Sequence, residues 1–589
     1  MTRFICETTL ALSITACMLF GAGGCGAGAT GDIPPPGDGG EDAGHDAGVE
    51  CVDDQDCGPG LVCEGGFCKS TEDGGKPDAG PPEDEHLELQ PPVGGQNYVF
   101  VVNTTLGTVA KIDPGELSNI EVDSIPVGVR PTILATVPDS DNAVVLNEGS
   151  RSLSVIQAGE EEDMVTEVPV GQAYTSMVLS PSGRWAVAYF DQSDDWVDPD
   201  SSASKIAVVD VAAALSGETR VHEFAVGYRV TDVVFKTAGT APRLLIVSRS
   251  EVAVAELDRL EDTLILPRVW IDDPDAEVVE AREVLATPDA GTLIFRNFLT
   301  SELTFLDVES GQSSRLLLHG VPSDVDLSPD GSMLLAVQRS EGVVARIDLE
   351  TDLENIVEVD GVTYFDPDGN GLPSPDEVTH VTVSGPDGQT LKIGQAVIYT
   401  DSGGELSAFL YSNIERAEEL SVLDVGNMQV SYLGHLINKL VDYVVVSPSA
   451  QTALVIHRPE FNSSDPDPVE REVDSLNGYT LIDLPSLATF QQVIEAPVGP
   501  MSFSSTGRYA LLTVFDSVIG VNELHVVDLL RLTLQMDSVP LDALPTFAGA
   551  LPGVEIGYVA QEHAYGKITF VDMSSMAKRA VTGYELNAD

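Results

Sequence analysis

The segment 366–377 has the composition and spacing of a calcium-binding loop. Oxygen-bearing groups occupy positions 1, 3, 5, 7, 9 and 12, supplied by Asp366, Asp368, Asn370, the Leu372 carbonyl, Ser374 and Glu377. Gly371 at position 6 permits the sharp turn of such loops. Ca²⁺ takes about six to eight oxygen ligands, and alternating short acids on a tight turn supply them. The pattern predicts a Ca²⁺ site, with an acidic, proline-rich turn as the alternative.

Prolines at 367, 373 and 375 depart from the EF-hand pattern, as does the lack of a flanking helix. These departures weaken the match at Ser374 and Glu377. An isolated loop in an exported protein, which meets millimolar calcium, fits the residues better than an EF-hand does.

No motif identifies an enzyme. The chain lacks CxxCH, GxSxG, GxxxxGK and any HxH or HxxxH pair, and no Cys follows Cys68. One catalytic arrangement stays open as an alternative: a hydrolase or lactonase whose site lies at a central channel. It requires His319, Asp324, Asp326 and His380 to converge there with a further acid.

A short pattern recurs ten times between residues 98 and 580, and it predicts the elements that carry these residues. The first unit reads YVFVVN, VAKID and IPVG, and a later one reads VDLSPDG, LLAVQR and VVARID. Four short apolar runs per unit, at a period of about 40–50 residues, are typical of β-propeller blades. We expect an all-β fold: a single large β-propeller over 97–589, with four-stranded blades numbering eight or more, up to ten.

Nine of the ten units end their third strand on an aspartate, and the second unit has Gln157 there. Because these acids would be spread around the ring, we expect them to accept backbone N–H groups rather than to share a ligand. The nine are Asp113, Asp210, Asp258, Asp307, Asp348, Asp424, Asp483, Asp528 and Asp572.

Units of the form SPDG, YVxN, VxVID and IxVGxxP resemble YVTN-family propeller repeats, which are common in bacterial surface and periplasmic proteins. The resemblance covers the region from about residue 97 onward. TPDA at 287–290 and SSTG at 504–507 depart from SPDG. Because the family is functionally heterogeneous, the resemblance implies a fold and no particular activity.

Four long insertions, 191–204, 272–281, 360–394 and 458–477, fall between the apolar runs. We assign them to connections between the second and third strands (b–c) or from the fourth strand to the next blade (d–a). Both kinds emerge on one rim, and insertions gathered on one face indicate a binding surface. The residues that mark this surface are Trp196, Asp194, Asp195, Phe461 and Asp465. The alternative is a solvated acidic loop with a packed aromatic.

The amino terminus predicts export. Residues 1–24 carry Arg3, an apolar stretch and then small residues before Cys25, as in a signal peptide. Small residues before a Cys resemble a bacterial lipobox, which implies cleavage before Cys25 and its lipidation. By resemblance to lipoprotein sorting, Gly26 after the anchor implies the outer membrane, with the propeller facing either side of it.

Cleavage before Cys25 leaves an even set of four cysteines within 51–68: Cys51, Cys57, Cys63 and Cys68. Exported cysteines in such a set predict two disulfides, with three possible connectivities. We expect Cys51–Cys63 and Cys57–Cys68. The segment resembles small Cys-rich modules of the Dickkopf and EB types, and we expect it to be a structural staple.

Residues 25–50 and 69–96 are rich in Gly, Pro and acids, so we expect disordered spacers. The chain carries 94 acidic and 30 basic residues, a formal net charge of −64. Such a charge repels phosphate backbones and anionic lipid, so we expect no nucleic-acid partner and membrane contact only through the anchor. The overall expectation is a monomeric outer-membrane lipoprotein that binds a protein or glycan at the cell surface, with Ca²⁺ as its cofactor.

Overall fold

The computed structural model describes residues 61–64, 67–70, 87–159, 162–191, 201–236, 242–271, 282–401, 403–414, 419–437, 439–530 and 536–584. Residues 61–70 belong to a separate unit and contain one antiparallel pair, Leu61–Glu64 with Phe67–Ser70, in which Cys63 lies opposite Cys68. Cys25, Cys51, Cys57 and both predicted spacers lie outside the described residues, apart from 87–96.

Ten blades, each of four antiparallel strands, follow one another along the described part of the chain, which confirms the propeller of four-stranded blades. Nine of the sheets have four strands, and the sheet of blade 5 has six. The four strands of a blade are called a, b, c and d in chain order. The strands of blades 1–5 are Val93–Gly94, Val99–Asn103, Thr108–Glu116 and Asn119–Pro126; Pro131–Thr136, Ala143–Asn147, Ser152–Gln157 and Met164–Pro169; Ser176–Leu179, Trp185–Tyr189, Lys205–Asp210 and Val221–Ala225; Val230–Phe235, Arg243–Ser248, Glu251–Glu256 and Arg268–Trp270; Arg282–Ala286, Thr292–Asn297, Glu302–Asp307 and Ser313–Leu317.

The strands of blades 6–10 are Asp324–Leu327, Met333–Gln338, Val343–Asp348 and Thr379–Thr382; Gln395–Thr400, Leu406–Tyr411, Leu420–Asp424 and Gln429–Tyr432; Val441–Val446, Thr452–His457, Asn477–Asp483 and Ala488–Ile494; Val498–Phe503, Tyr509–Asp516, Val521–Asp528 and Met536–Pro540; Pro545–Leu551, Ile556–Gln561, Lys567–Asp572 and Lys578–Thr582. Among the described residues, three short α-helices lie in connections: α1 (Val211–Leu215), α2 (Gly434–Ile437) and α3 (Pro468–Asp474).

The core consists of apolar layers between neighbouring blades. Because successive side chains of a strand point to opposite faces of the sheet, each central strand contributes apolar side chains to the layers on both sides of its blade. In strand b of blade 9, Tyr509 and Leu511 face blade 10, whereas Ala510 and Leu512 face blade 8. Each layer is built from two sheets, so a single blade could not bury its faces alone.

The ring closes between blade 10 and blade 1. Phe570 and Tyr558 of blade 10 pack in one buried cluster with Val99 and Ile112 of blade 1. Across the same junction, Arg579 Nη1 donates to the Ser118 carbonyl at 2.6 Å. Closure therefore buries the faces of the first and last blades, which an open array of blades would leave exposed.

The a–b turns use one hydrogen bond repeatedly. The hydroxyl of the first turn residue accepts the N–H five residues later, as in Ser328 from Met333 at 2.9 Å and Thr287 from Thr292 at 3.0 Å. Gly331, at the fourth position, has φ +73°, and a Cβ there would lie 2.2 Å from Pro288 Cδ of the neighbouring turn. Glycine thus allows this blade to pack closely against the preceding one.

The predicted role of the strand-end aspartates is confirmed at eight of the nine positions, where the carboxylate accepts a backbone N–H two or three residues ahead. Hydrogen bonds from Asn427 lower the pKa of Asp424, which shows the carboxylate form being favoured. The exception is Asp258, because strand c of blade 4 ends at Glu256 and Asp258 falls within the 3-10 helix Leu257–Asp262.

One insertion lies elsewhere than the sequence predicts. Assigning 360–394 to a single d–a connection is wrong, because strand d of blade 6 is Thr379–Thr382. Residues before it form a c–d connection with a hairpin, Ile356–Val359 and Val362–Phe365, which extends the sheet of blade 5 by parallel pairing of Tyr364 with Arg315. The predicted calcium loop therefore emerges on the rim opposite the b–c connection of blade 8, which contains the insertion 458–477.

Candidate functional site

The predicted calcium loop is held at both ends by the core between blades 5 and 6. Phe365, immediately before it, is buried and meets Phe305 edge-on with ring centroids 5.4 Å apart. Val378, immediately after it, is buried in the same cluster. The loop thus bridges the hairpin added to blade 5 and the outer strand of blade 6.

Three of the predicted ligands converge. One carboxylate oxygen each from Asp366, Asp368 and Glu377 lies within 4.8 Å of the other two. Asp366 accepts the Gly371 N–H at 2.8 Å, and Gly371 has φ +87°, a conformation that favours glycine. The loop therefore has the turn at position 6 that the spacing predicts, and Glu377 joins the two aspartates despite the intervening prolines.

Glu377 is the most informative member of this group. Both of its carboxylate oxygens are buried, and no hydrogen bond of ordinary length and angle reaches them among the described residues. Burial first, and then repulsion from Asp368 and Asp366, raises the pKa of this carboxyl. A shielded carboxylate facing two others is costly unless a proton or a cation lies among them.

Two of the other three predicted ligands, Asn370 and Ser374, have local hydrogen-bond partners. Asn370 Nδ2 donates to Asp368 at 2.7 Å, and its Oδ1 accepts the Leu372 N–H at 2.9 Å. Ser374 Oγ accepts the Asp376 N–H at 3.3 Å, at the start of the 3-10 turn Pro375–Glu377. Leu372 is exposed. The three groups that converge in the cluster offer only carboxylate oxygens as metal ligands, and Ca²⁺ prefers oxygen ligands.

The residues required by the channel hypothesis do not assemble as that hypothesis needs. Asp324 and Asp326, on the innermost strand of blade 6, accept the Ala396 and Ile398 N–H groups of blade 7 at 2.8 and 3.0 Å. Their carboxylates join two inner strands. His319 and His380 approach each other near strand d of blade 6, where Asp376 completes the cluster.

The rim bearing the b–c and d–a connections, here called the b–c rim, carries most of the exposed large apolar side chains of the described residues. Twelve lie in these connections, against five in c–d connections and none in a–b turns. The twelve are Leu106, Val129, Tyr228, Phe298, Leu299, Val321, Ile414, Leu436, Phe461, Val469, Val518 and Ile519. Exposed apolar groups concentrated on one face are typical of interaction surfaces.

Two of the five residues predicted to mark this surface are described. Phe461 lies in the b–c connection of blade 8 and is 79% exposed. Asp465 lies in the same connection and accepts the Asp467 N–H at 2.7 Å, beside helix α3. Trp196, Asp194 and Asp195 lie outside the described residues. Sequence reasoning missed the apolar residues of the shorter connections, such as Val518 and Ile519, because no insertion marks them.

None of the helices in the described ranges has both the length and the apolar character needed to cross a membrane.

No protein-family model matches the chain, and no curated protein sequence matches it. Solved structures similar to it include the dihydro-heme d1 dehydrogenase NirN in complex with DHE, at 17% identity and TM-score 0.37, covering 68% of this chain and 73% of that one. Another is a eukaryotic initiation factor, at 9% identity and TM-score 0.43, covering 77% and 97%. A third is apo AztD from Citrobacter koseri, at 14% identity and TM-score 0.29, covering 59% and 84%. At these values no activity transfers to this chain, and its assignment as a ten-bladed β-propeller rests on its own strand topology.

Proposed function

We propose that this chain is an exported lipoprotein, anchored at Cys25 in the outer membrane, whose propeller binds a protein or glycan through the b–c rim. The observation that carries the proposal is the concentration of exposed apolar side chains on that rim. The YVTN-like repeat motifs are consistent with a surface location, and the propeller supplies a rigid platform for loops.

The chemistry of the rim favours a protein or glycan over a small buried substrate. Exposed aromatic rings such as Tyr228 and Phe461 offer flat apolar faces, which suit protein side chains and sugar rings alike. The excess of acids disfavours phosphate-rich partners. A ligand would therefore be recognised across an open surface.

Site-specific photo-crosslinking in cells tests this proposal. A photoreactive amino acid at position 461 should give crosslinked products several-fold more abundantly than the same group at Leu264, an exposed position in a c–d connection on the opposite rim. In the same cells, Cys25→Ala should move the protein from the membrane fraction to the soluble fraction. Equal crosslinking from both rims would contradict the binding face, and unchanged fractionation of Cys25→Ala would contradict the anchor.

We also propose that Ca²⁺ binds among Asp366, Asp368 and Glu377 and stabilises the junction of blades 5 and 6. The support is the Glu377 carboxylate, whose oxygens are shielded from solvent, accept no hydrogen bond of ordinary geometry among the described residues and face two further carboxylates. A divalent cation would relieve both the desolvation and the repulsion. Its effect would be structural, fixing the connection that joins the added hairpin to strand d of blade 6.

Added Ca²⁺ should therefore raise the melting midpoint in a concentration-dependent way, by an amount equivalent to about 2.7 kcal/mol at one hundred times the Kd. Asp366→Ala, Asp368→Ala and Glu377→Gln should each abolish the shift. Asp387→Asn, in the exposed Pro-Asp-Gly turn that follows strand d of blade 6, is the matched control and should retain it.

The pH dependence of this shift follows from the raised pKa of Glu377. Without calcium, the stability of the folded protein should decrease as pH rises through the folded pKa of Glu377, because the carboxyl must then ionise beside two other carboxylates. Protons compete with the cation, so the calcium shift should shrink as pH falls. An absent calcium shift in the parent protein at neutral pH would reduce the loop to an acidic turn.

A further inference from the structure

A second cluster lies beside the calcium loop, at the outer edge between blades 5 and 6. His319 follows strand d of blade 5, Asp376 lies in the 3-10 turn, and His380 lies on strand d of blade 6. One nitrogen of each histidine and one oxygen of Asp376 lie within 4.8 Å of one another. The two imidazole rings meet edge-on with centroids 4.6 Å apart.

The hydrogen bonds around the two histidines leave nitrogens available for a ligand. His380 Nδ1 lies 3.2 Å from the Val378 carbonyl, so an Nδ1–H donor leaves a lone pair on Nε2. A carbonyl that fixes the tautomer in this way is the usual partner of a metal-binding histidine. His319 Nε2 is buried, has no hydrogen-bond partner among the described residues, and lies 3.5 Å from Asp376 Oδ1.

The donor set differs in kind from that of the calcium loop. Two imidazole nitrogens and one carboxylate suit zinc and other borderline divalent transition metals, whereas Ca²⁺ takes oxygen ligands. In a tetrahedral zinc site the ligand atoms lie about 3.3 Å apart, given bonds near 2.0 Å. Asp376 and His380 are exposed, so rotation of their side chains can close the remaining gap.

We propose that His319, Asp376 and His380 bind a zinc ion or a similar borderline divalent metal. Three protein ligands leave a fourth coordination position for water or for a group from a partner. The proposal goes beyond the calcium site and does not require it, although Asp376 and Glu377 are neighbours in one 3-10 turn. A cation at Glu377 would fix that turn and so favour the position of Asp376.

Calorimetric titration of the full-length chain with Zn²⁺, together with Co²⁺ absorption spectra, tests the site. The parent should bind one more equivalent of metal than His319→Ala or His380→Ala, or bind it at least tenfold more tightly. His563→Gln, which replaces an exposed histidine in blade 10, should match the parent. The cysteines are the same in all four proteins, so thiolate binding cancels in the comparison.

Identical zinc isotherms and Co²⁺ spectra for the parent, His319→Ala and His380→Ala would overturn the proposal. Repeating the titration with and without millimolar calcium separates the two sites. One outcome is zinc binding that depends on His380 together with a melting midpoint that calcium leaves unchanged. That outcome would support this site and remove the calcium proposal. A calcium shift without His380-dependent zinc binding would do the reverse.

Discussion

Lys439→Met is expected to destabilise blade 8 by roughly 3–5 kcal/mol. Lys439 is 1% exposed, and its Nζ donates to the Val473 and Leu476 carbonyls at 2.7 Å each and approaches the Asp474 carbonyl at 3.4 Å. These carbonyls lie at and just beyond the carboxyl-terminal end of α3, where the helix dipole is negative. The Val473 and Asp474 carbonyls also accept the Leu476 and Glu460 N–H groups, at 3.1 and 2.7 Å. Methionine keeps the length of the side chain and removes all of its donors.

The location of these bonds connects the prediction to the b–c rim. Helix α3 belongs to the b–c connection of blade 8, which also carries Phe461 and Asp465. Lys439 lies in the connection between blades 7 and 8, so its hydrogen bonds hold the b–c connection of blade 8 against that connection. Losing it should loosen the loop as well as lower the stability, and a loose loop binds less tightly because it must be ordered first.

Urea unfolding and amide hydrogen exchange measure the two effects. The parent should need a higher urea concentration to unfold, and peptides covering 458–476 should exchange faster in Lys439→Met. Lys392→Met, at an exposed position, is the matched control and should change stability by less than about 0.5 kcal/mol. A Lys439→Met protein within about 1 kcal/mol of the parent would mean that water replaces the ammonium at the helix end.

The fold was largely predictable from the sequence because each blade is a local repeat. Alternating apolar residues, turn motifs such as SPDG and strand-end acids such as Asp307 lie within a few residues of the partners they act on. The repeat therefore predicts strand order and the turns together. The eight confirmed aspartates follow from the same locality, since each accepts an N–H from its own turn.

What the sequence could not predict depends on contacts between distant segments. The run 356–359 alternates like any outer strand, and nothing local shows that it pairs with 362–365 against blade 5 rather than completing blade 6. His319 and His380 meet only because that insertion returns the chain to the same edge. Glu377 joins Asp366 and Asp368 through a 3-10 turn that begins at Pro375, one of the prolines that weaken the sequence match.

The second large effect concerns pH. Stability is expected to fall by up to about 3 kcal/mol between pH 6.5 and pH 4, through His457. This residue ends strand b of blade 8, and its Nδ1 and Nε2 lie 3.1 Å from the Leu440 carbonyl and 2.7 Å from Thr480 Oγ1. Burial lowers its pKa from 6.5 to about 4, the Leu440 hydrogen bond opposes that change, and the charge of Lys439 adds to it.

The direction follows from comparing the folded and unfolded protein. In the unfolded chain the imidazole takes up a proton near pH 6.5, whereas in the folded protein it stays neutral until about pH 4. Between these values the unfolded state binds more protons, so stability decreases as pH falls. Above pH 6.5 the contribution is fully present, and below pH 4 it is lost. Protonation of His457 should therefore destabilise the start of the b–c connection of blade 8, which Lys439 also contacts.

Urea midpoints measured from pH 7 to pH 4 test this in the parent and in His457→Gln, whose amide does not titrate. His525, whose pKa burial also lowers, contributes to the slope of both proteins, so the informative quantity is the difference between the two curves. That difference should reach about 3 kcal/mol at pH 4 relative to pH 7. Parallel curves for the parent and His457→Gln would show that the imidazole takes up its proton in the folded protein without cost, which requires water or a carboxylate to reach a ring that here contacts a carbonyl and a hydroxyl.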